Sequence, residues 1–171
     1  MEARRLQDTC WFAARTRYGT ETGVRDTLAM EGVECFIPTR TVKATRGNRT
    51  YERAVIPSLV FLRTTKDRAC SMANDGTVRV KYIVDCATRT LLVVPDKQME
   101  DFMRVMDLSK DGGGLMDAPL ELGDRVKVTR GPLRGVEGHV LELRGRIYVV
   151  VSLLDSIFAK ASVPRAWLEK I

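Results

Sequence analysis

The sequence predicts a two-part α+β protein, in which a small α/β sandwich precedes a small β-barrel. Three observations lead to this fold class. The first hundred residues alternate segments of strand and helix periodicity. The run DLSKDGGGLMDAP, at 107–119, is typical of a flexible linker. Beyond it, alternating apolar and polar residues stand between closely spaced glycines, as in bent antiparallel strands that close to hide their edges. We assign 9–107 to an N-terminal domain with an antiparallel sheet flanked by helices, 108–118 to the linker and 119–171 to the barrel.

The elements of the N-terminal domain follow from turn residues and periodicity. Thr20 is the predicted N-cap of the first helix, which buries Val24 and Leu28 and stops at Gly32. A basic segment forms a hairpin with its tip at 46–49, for which a solvated surface is favoured over a DNA contact. Strands are predicted at 11–16, 33–37, 55–62, 78–84 and 91–94, and further helices at 67–74 and after Pro95. Methionines line one face of that last helix, a spacing more typical of a core than of a partner groove.

Composition favours a binding protein over an enzyme. The net charge of +6 and the pI of about 9.4 favour polyanionic partners, either nucleic acid or an acidic protein surface. The four cysteines form no CxxC pair, which predicts reduced thiols rather than a zinc site. His139 is the only histidine, and the carboxylates of the predicted barrel form no paired-acid constellation. We therefore predict no catalytic residue, no metal site and no cofactor.

The chain is expected to be a cytoplasmic monomer that does not enter a membrane. It contains no run of eighteen apolar residues, the length that crosses a bilayer as a helix. Its first residues, MEARRLQDTCWFAARTR, include no apolar stretch long enough for a secretory signal.

Four segments carry a resemblance to a known family. Residues 123–140 match the pattern G-D-x-V-x-V-x-x-G-P-(apolar)-x-G-x-x-G-x-V without a gap, and so resemble the KOW motif of small SH3-like barrels. Ahead of them, WFAARTRYGTE, GVECFIPTR and RAVIPSLVFLR resemble, in family order, three segments of the N-terminal (NGN) domain of NusG proteins. The chain thus resembles the NusG family of transcription elongation and antitermination factors over about residues 11–171.

Departures from the family pattern indicate a specialised member. Ile56-Pro57-Ser58-Leu59 replaces an aromatic-Pro-Gly-Tyr or aromatic-Pro-Asn-Tyr sequence, and Arg15 stands where specialised members often have an apolar or aromatic residue. With the ending WLEKI, the chain looks most like the UpxY-type antiterminators of capsular polysaccharide operons. A general housekeeping NusG and a KOW-type RNA-binding or ribosome-associated protein are the alternatives.

For the N-terminal domain, the resemblance implies docking on RNA polymerase. The domain would bind the clamp helices of the largest subunit and bridge to the second-largest subunit, which suppresses pausing and termination. The positions that match the polymerase contact are Phe12, Arg15, Ile56, Pro57, Leu59 and Tyr82. Those that match a loop touching the non-template DNA strand are Arg17, Tyr18, Thr20 and Arg25, for which a solvated basic turn is the alternative.

For the barrel, the resemblance implies recruitment of a protein partner. In the general factor this partner is termination factor Rho or the NusE ribosomal protein. The matching loop residues here are Ile157, Phe158 and Lys160, of which the two apolar ones would supply the anchor. Filling of the barrel core by both is the alternative.

Overall fold

The computed structural model describes residues 8–108, 114–116 and 122–171, which form two compact units divided between Pro95 and Asp96. It confirms the predicted α+β class, because helices accompany antiparallel sheets in the described chain.

The N-terminal unit is built on a five-stranded antiparallel sheet. Its order is β2-β5-β1-β6, and β7 also pairs with β1. A separate two-stranded sheet joins β3 and β4. The strands are β1 (Cys10–Arg15), β2 (Glu34–Phe36), β3 (Thr39–Lys43), β4 (Thr50–Ala54), β5 (Leu59–Thr64), β6 (Lys81–Tyr82) and β7 (Val93–Val94), and the helices are α1 (Glu21–Met30) and α2 (Lys66–Asn74).

Strand alternation places the core of this unit between the sheet and its helices. Phe12 pairs with Leu62 and Ala14 with Val60 across β1 and β5, so all four side chains share one face. Leu28 of α1 joins the same buried cluster. The i, i+4 spacing of Val24 and Leu28 therefore predicted the inward face of α1 correctly.

Four N-terminal strands are shorter than predicted, and those expected over 33–37 and 91–94 are reduced to Glu34–Phe36 and Val93–Val94. The strand expected over 55–62 begins only at Leu59, because Ser58 adopts a left-handed φ of 63° and the chain turns there. The strand expected over 78–84 is reduced to Lys81–Tyr82. Residues in a turn next to a strand can continue the apolar pattern of that strand. Periodicity alone therefore placed these strand boundaries wrongly.

The C-terminal unit contains one six-stranded antiparallel sheet, called here the C-terminal sheet, and a long helix. The strand order is β13-β9-β10-β11-β12-β8. The elements are α3 (Asp96–Asp107), β8 (Gly114–Met116), β9 (Arg125–Val128), β10 (Glu137–Leu143), β11 (Arg146–Leu153), β12 (Ile157–Ser162), a 3-10 turn (Arg165–Trp167) and β13 (Leu168–Lys170).

Two glycines of the KOW-like segment permit close packing within this sheet. A Cβ on Gly138 would collide with the carbonyl oxygen of Val150 on β11. A Cβ on Gly131 would collide with the Trp167 ring, and Gly131 also has a φ of +75°. The motif's spacing thus reflects steric requirements of the sheet.

Helix α3 packs against β11 and β12 of the C-terminal sheet. Met99, Phe102 and Val105 on its inner face are fully buried, whereas Met103 and Met106, also on the predicted methionine-lined face, are half-buried. The helix thus has the expected core face, but Met99 is the one methionine that is fully buried in it. The carboxylate of Asp101 accepts hydrogen bonds from Lys97 Nζ at 2.7 Å and from the backbone N–H of Glu137 at 3.2 Å.

The predicted linker is only partly described. Its residues 109–113 and 117–118 lie outside the described part of the chain. Gly114–Met116, also within the predicted linker, instead form β8 and pair with β12. The predicted bounds of the two domains and their linker stay a prediction. Any division of the chain has to take into account that α3 packs on the C-terminal sheet.

Candidate interaction surfaces

Most of the predicted polymerase-contact residues gather at one end of the N-terminal sheet. Arg15 lies opposite Leu59 at the end of the β1–β5 pair, and Tyr82 on β6 lies opposite Ala14. Ile56 and Pro57 lie in the turn that leads into β5. We call Arg15, Ile56, Pro57 and Tyr82 the β1-end surface.

The six predicted contact residues differ in exposure. Arg15 and Pro57 are exposed, and Ile56 and Tyr82 are half-buried. Phe12 and Leu59 are each only 2 % exposed and lie in the core. The Phe12 ring meets the Tyr82 ring edge to face, with 6.2 Å between the centroids. Phe12 therefore lies beneath Tyr82, whereas Leu59 lies opposite Arg15 on the other face of the sheet, and both offer almost no area of their own.

A buried carboxylate holds the turn of this surface in place. Glu21, the first residue of α1, is 5 % exposed and accepts a hydrogen bond from the backbone N–H of Ser58 at 2.7 Å. The backbone N–H of Thr16 donates in turn to the Ser58 carbonyl at 3.0 Å. Ser58, the residue with the left-handed φ, is thus hydrogen-bonded both to the start of α1 and to the residue that follows β1.

The ionisation of Glu21 reflects two opposed effects. Burial raises the pKa of its carboxyl, whereas hydrogen bonds from the backbone N–H groups of Ser58, Glu21 and Gly19 lower it, and the net shift is downward. Glu21 is therefore anionic at neutral pH. Sequence analysis missed this residue, although an acidic residue directly after a predicted N-cap is favoured there by the helix dipole.

The predicted nucleic-acid residues occupy the β1–α1 loop and the first turns of α1. Tyr18 is 65 % exposed, and its hydroxyl accepts a 3.4 Å hydrogen bond from Arg53 on β4. Arg25 forms a 2.9 Å salt bridge with Glu52 on the same strand. The structure thus brings the predicted loop beside the basic hairpin, a neighbourhood that sequence analysis did not foresee.

Thr20 occupies the N-cap position but does not cap α1 with its side chain. Its hydroxyl donates instead to the carbonyl of Arg17 at 2.7 Å, and it lies 3.0 Å from the Thr16 hydroxyl. The predicted N-cap position is therefore confirmed, but the Thr20 side chain makes no capping hydrogen bond. The backbone of Thr20, with a φ of −104° and a ψ of 7°, lacks the extended conformation that usually aims an N-cap oxygen at the helix.

A cavity of about 330 Å³ opens next to this loop. Its wall includes two arginines and several threonines, with guanidinium and hydroxyl groups that suit an anion or the polar edge of a base. The residues that supply them are Thr16, Arg17, Thr20, Thr27, Thr77 and Arg79.

The β3–β4 hairpin places like charges opposite each other. Arg40 is the cross-strand partner of Arg53, and Val42 that of Tyr51. Such a pair of arginines is destabilising without an anion nearby. Tyr51 is exposed on the same face. Whether the hairpin is only solvated, as the sequence favoured, stays a prediction.

The three predicted partner-binding residues of the C-terminal unit lie on a strand rather than in a loop. Ile157, Phe158 and Lys160 belong to β12, whose pairing with β11 begins at Leu153 and Ile157. The loop itself is 154–156, where Leu154 and Asp155 both have positive φ. Alternation puts Phe158 and Lys160 on one face and Ile157 on the other, and all three are half-buried.

The described residues hold no cluster of three His, Cys, Asp or Glu side chains with the proximity a metal ion needs. Burial raises the pKa of the Cys35 thiol to about 11, so this cysteine stays protonated at neutral pH and is a poor nucleophile. In the described parts of the chain, no helix has both the length and the apolar character to cross a bilayer.

Two comparisons bear on these surfaces. The family described as "Transcription termination factor nusG" matches residues 9–103, which is more than half of the chain. The fold is similar to that of NusG from Thermotoga maritima, in a structure described as showing domain interaction, with 20 % identity and a TM-score of 0.51 over 96 % of this chain and 98 % of that one. At this identity the likeness concerns the fold. No curated protein matches the chain.

Proposed function

Because the chain belongs to the NusG family of transcription elongation and termination factors, we propose that it is an antitermination factor that binds the RNA polymerase clamp helices through its N-terminal unit. Members of this family are transcription factors rather than enzymes, and family membership indicates RNA polymerase as the partner. The second-largest subunit is the further contact that we propose, across the DNA channel.

The observation that carries this proposal is the β1-end surface. It combines an exposed cation, Arg15, and the exposed Pro57 with the half-buried side chains of Ile56 and Tyr82 at the same end of the sheet, where Arg15 and Tyr82 belong to opposite faces. Interfaces draw most of their affinity from a few such partly enclosed anchors. The hydrogen bond from Ser58 to Glu21 fixes the turn beforehand, so binding requires little further ordering.

The mechanism that follows is a population shift. A factor that binds the closed clamp more tightly than the open clamp favours the closed state by the ratio of the two affinities. A closed clamp resists the pausing that precedes termination. No bond is made or broken by the protein in this mechanism.

Two further contacts complete the proposal. Arg17 and Tyr18 meet the non-template DNA strand, since arginine suits phosphate and an exposed tyrosine can stack on an unpaired base. Ile157 and Phe158 recruit a protein partner, for which Rho and the NusE ribosomal protein are the candidates. The departures at Arg15 and 56–59 favour a specialised factor for a long polysaccharide operon over the general factor.

The polymerase contact is tested by substituting Ile56→Asp. A charge at a half-buried apolar anchor should weaken binding of core RNA polymerase at least about tenfold, since hot-spot losses reach 2 kcal/mol or more. Binding is measured by pull-down and by biolayer interferometry. The matched control is Met30→Asp, the same charge at an apolar side chain that is 80 % exposed at the end of α1. Equal polymerase affinity of the two variants, both folded by circular dichroism, would remove the β1-end surface from the proposal.

A further inference from the structure

A groove on the C-terminal sheet carries three cations. One of them, Lys160, is among the residues predicted to bind a protein partner, but the predicted apolar anchors Ile157 and Phe158 do not line the groove. The groove has a volume of about 670 Å³ and lies between the β10–β11 hairpin and β12. Its lining residues are Leu143, Arg144, Arg146, Tyr148 and Lys160.

The sheet register explains why these side chains converge. Leu143 lies opposite Arg146, Leu141 opposite Tyr148, and Val150 opposite Lys160. Alternation therefore puts Arg146, Tyr148 and Lys160 on the same face of neighbouring strands. Glu142, the nearest carboxylate in the hairpin sequence, pairs with Ile147 and belongs to the opposite face.

The groove cations lack the acidic partners that Arg125, Lys127 and Lys170 have in the same unit. Arg125 and Lys127 both reach Glu137, and Lys170 reaches Asp124. Within 122–171 and the other described segments, no carboxylate forms a salt bridge with Arg144, Arg146 or Lys160. Three like charges around one groove repel one another, and a polyanion would remove that cost.

The position of Arg144 reinforces this interpretation. Arg144 and Gly145 are the two central residues of the β10–β11 turn and have φ values of +51° and +76°. Turns with two positive φ values favour Asn, Asp or Gly at the first central position, because a Cβ is strained there. Arginine is therefore disfavoured in the turn itself, and we attribute its presence to its charge at the groove.

The remaining lining residues favour phosphate over a protein surface. Lys160 Nζ lies 4.9 Å from the centroid of the Tyr148 ring, and Tyr148 is only 8 % exposed. The ring thus orients the ammonium group and offers no open face to a base or an apolar anchor. Leu143 alone contributes exposed apolar surface, which is less than a protein hot spot requires.

We propose that this groove binds the phosphodiester backbone of single-stranded nucleic acid without reading its sequence. Arg144 and Arg146 donate hydrogen bonds from their guanidinium groups to phosphate oxygens, and the Lys160 ammonium group adds a positive charge. The site lies in the C-terminal unit and does not depend on polymerase binding. It can therefore be tested independently of the proposed function.

The test measures binding of the full chain to a labelled oligouridine of about 12 nucleotides, by fluorescence anisotropy without polymerase. The groove variant combines Arg144→Asn, Arg146→Gln and Lys160→Gln. Asparagine suits the left-handed turn, so the hairpin should fold. The slope of log affinity against log salt, between about 50 and 200 mM KCl, should become shallower by about 2, because each phosphate contact on a single strand contributes about 0.7.

A charge-matched control separates the groove from general basicity. It removes three cations elsewhere in the unit, with the substitutions Arg130→Gln, Arg165→Gln and Lys170→Gln. The control should keep the wild-type slope, and backbone amide signals at Arg144, Arg146 and Lys160 should shift when the oligouridine is added to wild type. An equal change of slope in both variants, or no change in either, overturns the proposal.

Two further ligands identify the source of the anion. The same oligonucleotide as DNA should bind the groove if phosphate alone is recognised, and weaker binding of DNA would assign the site to RNA. A hexaglutamate peptide at the same concentration should leave the groove amides unshifted. Equal or larger shifts with the peptide would overturn the proposal in favour of an acidic protein partner.

Discussion

At the scale of single residues, Glu21 does the most to shape the proposed polymerase surface without belonging to it. Its carboxylate accepts a hydrogen bond from the backbone N–H of Ser58, and this contact stabilises the turn that contains Ile56 and Pro57. A buried N–H left without an acceptor carries the full cost of desolvation. The residue therefore links the start of α1 to the shape of the β1-end surface.

We expect Glu21→Ala to destabilise the protein by about 1–3 kcal/mol at neutral pH, because the Ser58 N–H loses a charged acceptor. The folded pKa of Glu21 lies below its ordinary value of 4.5, so its stabilisation is complete above that pH and is lost as the pH falls through the folded pKa. Urea unfolding at pH 7 and at about pH 3 measures the difference.

The comparison with Glu21→Gln isolates the charge in this effect. Glutamine keeps an acceptor oxygen for the Ser58 N–H but does not titrate. The stability of this variant should therefore not depend on the ionisation of residue 21, and at pH 7 it should lie between those of the wild type and Glu21→Ala. An alanine variant that loses the same free energy at both pH values would show that ionisation of Glu21 contributes nothing.

At the scale of elements, α3 is held to the C-terminal sheet by both apolar and polar contacts. Met99, Phe102 and Val105 supply the buried face. Arg104 donates 2.8 Å hydrogen bonds to the carbonyls of Pro132 and Arg134, in the turn that precedes β10. The apolar contacts give most of the stabilisation, and the directional hydrogen bonds set the position of the helix along the sheet.

We expect Asp101→Ala to reduce the stability of this attachment by about 2 kcal/mol, because it leaves the partly buried N–H of Glu137 without its acceptor. The Lys97 contact adds little to this figure, since that lysine is half exposed and its charge is screened. Hydrogen exchange of the Glu137 amide, followed by NMR, reports the local change.

Glu100→Ala provides the control on the same helix. Glu100 is exposed, and its removal should change stability by less than about 0.5 kcal/mol. Unchanged exchange at Glu137 in the Asp101 variant would contradict the structural role assigned to this carboxylate.

At the scale of the whole molecule, the proposed functions divide between the two units. The N-terminal unit carries the β1-end surface, and the C-terminal unit carries the apolar residues of β12 and the cationic groove. A protein partner such as the polymerase is bound largely through apolar anchors, whereas nucleic acid is bound largely through cations.

We expect the purified protein to increase read-through of a terminator by core polymerase in a transcription assay, because a closed clamp resists pausing. Ile56→Asp should abolish the increase at protein concentrations where wild type saturates, and Met30→Asp should preserve it. The fraction of full-length transcript is the measurement. A rise in termination instead would assign the protein the opposite role.

Much of the fold could be predicted because it depends on local physics. The apolar run WFAA accompanies β1, which is buried on both faces, and period-two alternation identified the KOW-like strands. The helical spacing of apolar residues identified α1 and part of the inner face of α3. The start of β5 could not be predicted, because the left-handed turn at Ser58 is stabilised by Glu21, which is distant in the chain.

The candidate sites divide in the same way. By itself, the sequence determined the α+β class, the KOW-like spacing of glycines and the segments from which the surfaces are built, since residue type and spacing suffice for these. Only the tertiary structure decided that Phe12 and Leu59 are buried, that Ile157 and Phe158 begin a strand, and that Arg144, Arg146 and Lys160 share one groove. The physical reason is that burial and convergence depend on which strands become neighbours, and that pairing joins residues far apart in the chain.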